Sequence, residues 1–105
     1  MSLSTHVLDT GRGRPAAGVP VRLESADGTA LGAGVTDGDG RLAGLPLAAP
    51  GRYRLVFDTA AWFAATGTEG FFPEVAITFT VTDAGARHHV PLLLSPFAYS
   101  TYRGS

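Results

Sequence analysis

Residues 75–81 read Val-Ala-Ile-Thr-Phe-Thr-Val. Val75, Ile77, Phe79 and Val81 recur in steps of two, and Thr78 and Thr80 fall between them. Successive side chains of an extended chain point to opposite faces, so this is a strand with one buried face and one wet face. Phe71-Phe72-Pro73 leads into it, and Asp83-Ala84-Gly85 turns the chain out of it. The same period appears in Leu3 to Thr10, where Leu3, Thr5 and Val7 oppose Ser4, His6 and Leu8 until Gly11-Arg12-Gly13-Arg14-Pro15 breaks the run. Val19, Val21 and Leu23 oppose Pro20, Arg22 and Glu24, and the turn Ala26-Asp27-Gly28-Thr29 leads into a strand from Ala30 to Thr36. Asp37-Gly38-Asp39-Gly40 delivers Arg41 onto a brief edge strand, Arg41 to Leu45. Tyr53, Leu55 and Phe57 alternate with Arg52, Arg54 and Val56 up to Asp58, while Arg87 to Ser95 and Ala98 to Arg103 give the last two strands.

Fourteen glycines and seven prolines in 105 residues make turns frequent and helix scarce. The exception is Ala60 to Ala65, which Asp58 or Thr59 caps, Gly67 stops, and Trp62 and Phe63 dock onto the sheets. The expected fold class is all-β: a two-sheet antiparallel sandwich of about eight strands with one short helix. A single domain over residues 1–105 is expected, because a chain of this length buries roughly two-thirds of its unfolded surface around one core.

A hydrophobic share of 45% and a charged share of 16% describe a chain that folds. The net charge of −1 leaves no excess positive charge to neutralise a phosphate backbone or an anionic membrane, so neither nucleic acid nor membrane is an expected partner. Absence of cysteine removes disulfides, thiolate nucleophiles and cysteine-ligated metals. All eight basic residues are arginine, which excludes a Schiff-base lysine. Met1-Ser2-Leu3-Ser4-Thr5-His6 lacks a basic region followed by an apolar run, and no stretch reaches the length of a membrane span. The expected location is cytoplasmic.

In Arg87 to Ser95, Val90, Leu92 and Leu94 form one apolar face, and His89, Pro91 and Leu93 form the other. A sandwich in isolation buries only its inner face, so Pro91 and Leu93, with Leu8 beside them, predict a subunit interface. Pro91 also lacks a ladder donor, which weakens the strand at that point. If the first strand and this one are neighbours, parity puts His6 and His89 on the same outward apolar face and His88 on the other. Two imidazoles at a covered apolar surface serve as a general base or bind a metal; three on one zinc do not fit the parity. No serine lies in a G-x-S-x-G elbow, Gly38-Asp39-Gly40 is no phosphate loop, and Asp37 and Asp39 read as turn formers. Water activated by imidazole, with an arginine stabilising negative charge, is what remains.

Leu3-Ser4-Thr5-His6-Val7-Leu8-Asp9-Thr10, Asp39-Gly40-Arg41, Phe71-Phe72-Pro73-Glu74 and the run from His89 to Ser105, ending Tyr102-Arg103-Gly104-Ser105, resemble the 5-hydroxyisourate hydrolases, also called transthyretin-related proteins. The resemblance runs from end to end, and the terminal tetrapeptide separates these enzymes from transthyretin, the hormone carrier of the same fold. It implies a prealbumin-like sandwich that assembles as a homotetramer, a dimer of dimers whose channel holds active sites at its two mouths. It implies hydrolysis of 5-hydroxyisourate to 2-oxo-4-hydroxy-4-carboxy-5-ureidoimidazoline in urate degradation, with no metal or organic cofactor. The family's site residues fall on His6, Arg41, His89 and Tyr102, with Ser105 closing the tetrapeptide. On this resemblance His6 and His89 position and deprotonate water, Arg41 binds substrate and stabilises the oxyanion, and Tyr102 donates to the ring. The alternatives are a carrier of a small apolar anion in the same channel and a structural domain with a zinc-binding surface.

Overall fold

The structure, a computed structural model, describes residues 2–105. At its centre is β1 (Ser2–Asp9), where Leu3, Thr5, Val7 and Asp9 are buried and Ser4, His6 and Leu8 half-buried, the parity expected from the sequence. Along one edge β1 pairs with β5 (Arg41–Pro46) and with the two-residue β2 (Arg14–Pro15). Its other edge pairs with β8 (His88–His89) and β9 (Leu92–Ser95), and β10 (Ala98–Thr101) adds to β9. The second sheet has the order β4 (Ala30–Val35), β3 (Pro20–Ser25), β6 (Gly51–Phe57), β7 (Val75–Val81).

The sheets enclose Leu3, Val7, Leu23, Leu55, Phe57, Val75, Leu92 and Leu94, all fully buried. Burying each such side chain contributes roughly 1.5–3 kcal/mol. The helix α1 (Thr59–Ala65) begins where the Asp58 carboxylate accepts from the Ala61 amide at 3.1 Å. Its Trp62 and Phe63 are buried, and the Trp62 indole donates to the Ala17 carbonyl at 3.2 Å.

Three features depart from the sequence expectations. First, Arg87 to Ser95 is not one strand: it divides around Val90 and Pro91, both buried. Proline has no N–H for the ladder, and two hydroxyls take up the carbonyls there, Thr5 on Val90 at 2.6 Å and Thr101 on Pro91 at 2.7 Å. Second, β1 runs parallel to β8 and β9, so the first sheet is mixed. A parallel pair needs a long crossover, and here the whole second sheet lies between the two strands in sequence; alternation carries no information on direction. Third, the last strand ends at Thr101 instead of Arg103, and the chain turns back.

Candidate active site

His6 and Arg41 are direct partners across the antiparallel β1–β5 ladder. Paired residues project to the same side, so both stand on the outer face of the first sheet. From the other edge of β1, His89 is the parallel partner of Ser4, and the Ser4 hydroxyl lies 2.8 Å from His89 Nδ1. Ser4 and His6 are two apart on one strand and share that face. The fold therefore lays a row across β8, β1 and β5: His89, Ser4, His6, Arg41.

The ring of His6 is anchored by Nε2, 2.9 Å from the Asp39 carbonyl. A carbonyl only accepts, so Nε2 carries a proton, and the neutral tautomer that keeps this bond has its lone pair on Nδ1. The pKa of His89 is lowered from the ordinary value of 6.5, chiefly because burial disfavours the cation. The nearby charges of Arg41 and His6 push in the same direction, and a hydrogen bond to the Ser4 main chain opposes them. At neutral pH His89 is thus an uncharged imidazole able to take a proton. Arg41 is exposed and has no carboxylate within ion-pair distance among the described residues.

The C-terminal segment closes on His89. The Gly104 amide donates to the His89 carbonyl at 2.8 Å, and a Cβ on Gly104 would lie 2.4 Å from His89 Cδ2, so only glycine fits without displacement. Tyr102 is 58% exposed and lines a groove of about 370 Å³ with Ile77, Phe79, His88, His89 and Thr101. Ser105 is exposed. His6, Arg41 and His89 thus come together on one face, whereas Tyr102 meets only His89 of that row along this groove. His88 pairs with Leu3 on the opposite parity, and its Nδ1 lies 3.0 Å from the Ala86 carbonyl. Two supports of the row escaped the sequence: Ser4, whose parity with His6 was legible but whose partner was not, and the Asp39 main-chain carbonyl, which no residue pattern announces. No group of three or more His, Asp or Glu side chains among the described residues is placed to hold a metal ion.

A two-sheet sandwich carrying histidines and an open arginine on one outer face defines a class. The chain belongs to the HIUase/Transthyretin family, whose model matches residues 3–104. Within that family it is 46% identical over 109 residues to the 5-hydroxyisourate hydrolase of Salmonella dublin, an alignment spanning 98% of this chain and 80% of that one. The structure of Klebsiella pneumoniae 5-hydroxyisourate hydrolase matches with a TM-score of 0.90 at 42% identity, over 99% of this chain and 98% of that chain. Sea bream transthyretin in complex with thyroxine matches with a TM-score of 0.88 at 32% identity, over 97% and 93% of the two chains. The backbone is common to both branches; identity favours the hydrolases. No helix among the described residues is long and apolar enough to cross a membrane.

Proposed function

We propose that this chain hydrolyses 5-hydroxyisourate, opening a cyclic amide to give 2-oxo-4-hydroxy-4-carboxy-5-ureidoimidazoline in urate degradation. The observation that carries this is the row of His89, Ser4, His6 and Arg41 across neighbouring strands of one face, which combines an uncharged imidazole with a guanidinium that has no carboxylate in ion-pair range among the described residues. Water adds to the ring carbonyl as His89 takes its proton, assisted by His6. A C–O bond forms, and Arg41 stabilises the oxyanion. The C–N bond then breaks, the proton passes to the departing nitrogen, and the new carboxyl ionises. Tyr102 donates a hydrogen bond to the substrate ring, and Ser105 completes the mouth of the site. A homotetramer, built as a dimer of dimers and located in the cytoplasm, belongs to the same proposal: Leu8 and Leu93 are partners on the outer face, half-buried, and open to a second copy.

The test generates hydroxyisourate in place from urate with urate oxidase and follows its decay with and without the protein. Acceleration above spontaneous decay, unchanged by a chelator, is the expected result. Stoichiometric binding without acceleration would favour an anion carrier, and activity lost to the chelator would favour a zinc surface.

A further inference from the structure

The turn that connects the second sheet to β5 holds a carboxylate that the chemistry above does not use. Asp37 Oδ1 accepts from the Asp39 amide and from the Arg41 amide, each at 2.9 Å. The Asp37 amide donates to the Arg41 carbonyl at 2.9 Å, and the Gly40 amide donates to the Asp37 carbonyl at 2.9 Å. This closed turn is fastened to β1 where the Val7 amide donates to the Gly40 carbonyl at 2.7 Å. Gly40 has φ of 76°, and a Cβ there would lie 2.4 Å from the Val7 carbonyl oxygen. The turn therefore sits close against the strand that carries His6, and its Asp39 carbonyl is the acceptor that His6 Nε2 meets.

We propose that Asp37 is a positioning residue for the reaction: its carboxylate closes the 37–41 turn so that Arg41 enters β5 opposite His6 and the Asp39 carbonyl fixes the ring orientation and tautomer of His6. This rests on the hydrolase reading and adds to it the residue that ties two members of the site to one another. Asp37 acts only through main-chain groups. Its carboxyl is held below the ordinary carboxylate range, first by the hydrogen bond from the Arg41 main chain, and the Asp39 amide and the charges of Arg41 and His6 add to this. It is thus an ionised acceptor at neutral pH, suited to hold two amides rather than to shuttle a proton. Without it, the His6 Nε2–H loses a fixed acceptor and the Arg41 backbone loses its register, the kind of small misplacement that costs rate more than binding.

The test pairs kinetics with ¹⁵N NMR of the His6 ring in Asp37→Ala, Asp37→Ser and Asp37→Asn. In the wild type the nitrogen shifts should report a proton on Nε2. Asp37→Ala should give a mixture of tautomers and lower kcat by about 10- to 100-fold, with KM changing far less. Asp37→Asn keeps an oxygen that accepts both amides, and should restore the tautomer and bring kcat to within about threefold of the wild type. Asp37→Ser, a shorter and weaker acceptor, should fall between them and carries the comparison should Asp37→Ala not fold. Unchanged His6 shifts and kcat in Asp37→Ala would overturn the proposal, as would an Asp37→Asn protein as impaired as Asp37→Ala. A wild type that failed to accelerate hydroxyisourate decay would instead sink the hydrolase reading, a failure the NMR readout keeps separate.

Discussion

On the outer face of the second sheet, Arg22 and Arg54 close on Glu24 at 2.7 and 2.9 Å, and Arg22 also reaches Glu74 at 3.4 Å. On the outer face of the first, Arg41 stands beside His6 with no carboxylate in ion-pair range among the described residues. Glu24 alternates with the apolar Val21 and Leu23, yet it is only 6% exposed, with the guanidinium groups of Arg22 and Arg54 closed on its carboxylate. Hydrogen bonds from Arg22, then Arg54, hold its carboxyl below the ordinary range, so it stays ionised. One face therefore ties Arg22 and Arg54 into internal ion pairs, and the other keeps cationic and imidazole groups open to a ligand. Arginine composition is the same signal in both cases; cross-strand register decides which arginines are spent on structure.

The contrast predicts different losses when one charged group is removed from each face. Arg41→Ala should lower kcat/KM for hydroxyisourate by about 10²–10³-fold, the scale of a lost oxyanion donor, with little change in Tm. Glu24→Gln should do the opposite, lowering Tm while kcat/KM stays within about twofold of the wild type. His88→Ala, which borders the groove but stands off the row of His89, Ser4, His6 and Arg41, should retain activity. Equal losses of turnover from Arg41→Ala and Glu24→Gln would mean that the two faces do not divide structure from chemistry.

A smaller effect is expected at the C-terminal tail, which the second face has no counterpart for. Gly104→Ala would place a methyl group against the His89 ring, so either the ring or the tail must shift. About a tenfold loss of kcat/KM is expected, in a protein whose circular dichroism matches the wild type. Full activity in this variant would release the tail from His89.

What could be read beforehand follows the same division. Strand positions, the capped helix and the outward parity of His6 and His89 came from period-two spacing and from local capping and turn residues, because burial of one face enforces them. The weak point at Pro91 was also legible, since a missing N–H is a property of the residue itself. The parallel direction of β1 against β8 and β9, the burial of Glu24 and the partnership of Ser4 with His89 were not. Each depends on which distant strands become neighbours, and residues separated by 85 positions, as Ser4 and His89 are, leave no mark on local periodicity. Asp37 and Asp39 illustrate the middle case: the turn was legible, but not that its carbonyl would meet a histidine from another strand.

The mildest effect concerns pH and isolates how the open charges of the first face act on one another. His89 in the folded chain has a pKa below 6.5, so a neutral base persists into mild acid and the acid limb of kcat/KM should have its midpoint below pH 6.5. The linkage has the same sign. Between the folded pKa and 6.5 the unfolded chain binds more protons, so the stability contributed by neutral His89 is complete above 6.5 and lost as pH falls through that window. Circular dichroism at each pH separates the two effects. Burial is the main cause of the shift, while Arg41 and His6 add smaller repulsions, so Arg41→Ala should move the His89 titration upward by a fraction of the total displacement without restoring 6.5. Following the His89 ring proton by NMR measures this even where turnover is too slow to assay. A His89 titration in Arg41→Ala unmoved from the wild type would show that the guanidinium is too well screened to act on its neighbour, and the row would lose its electrostatic coupling while keeping its geometry.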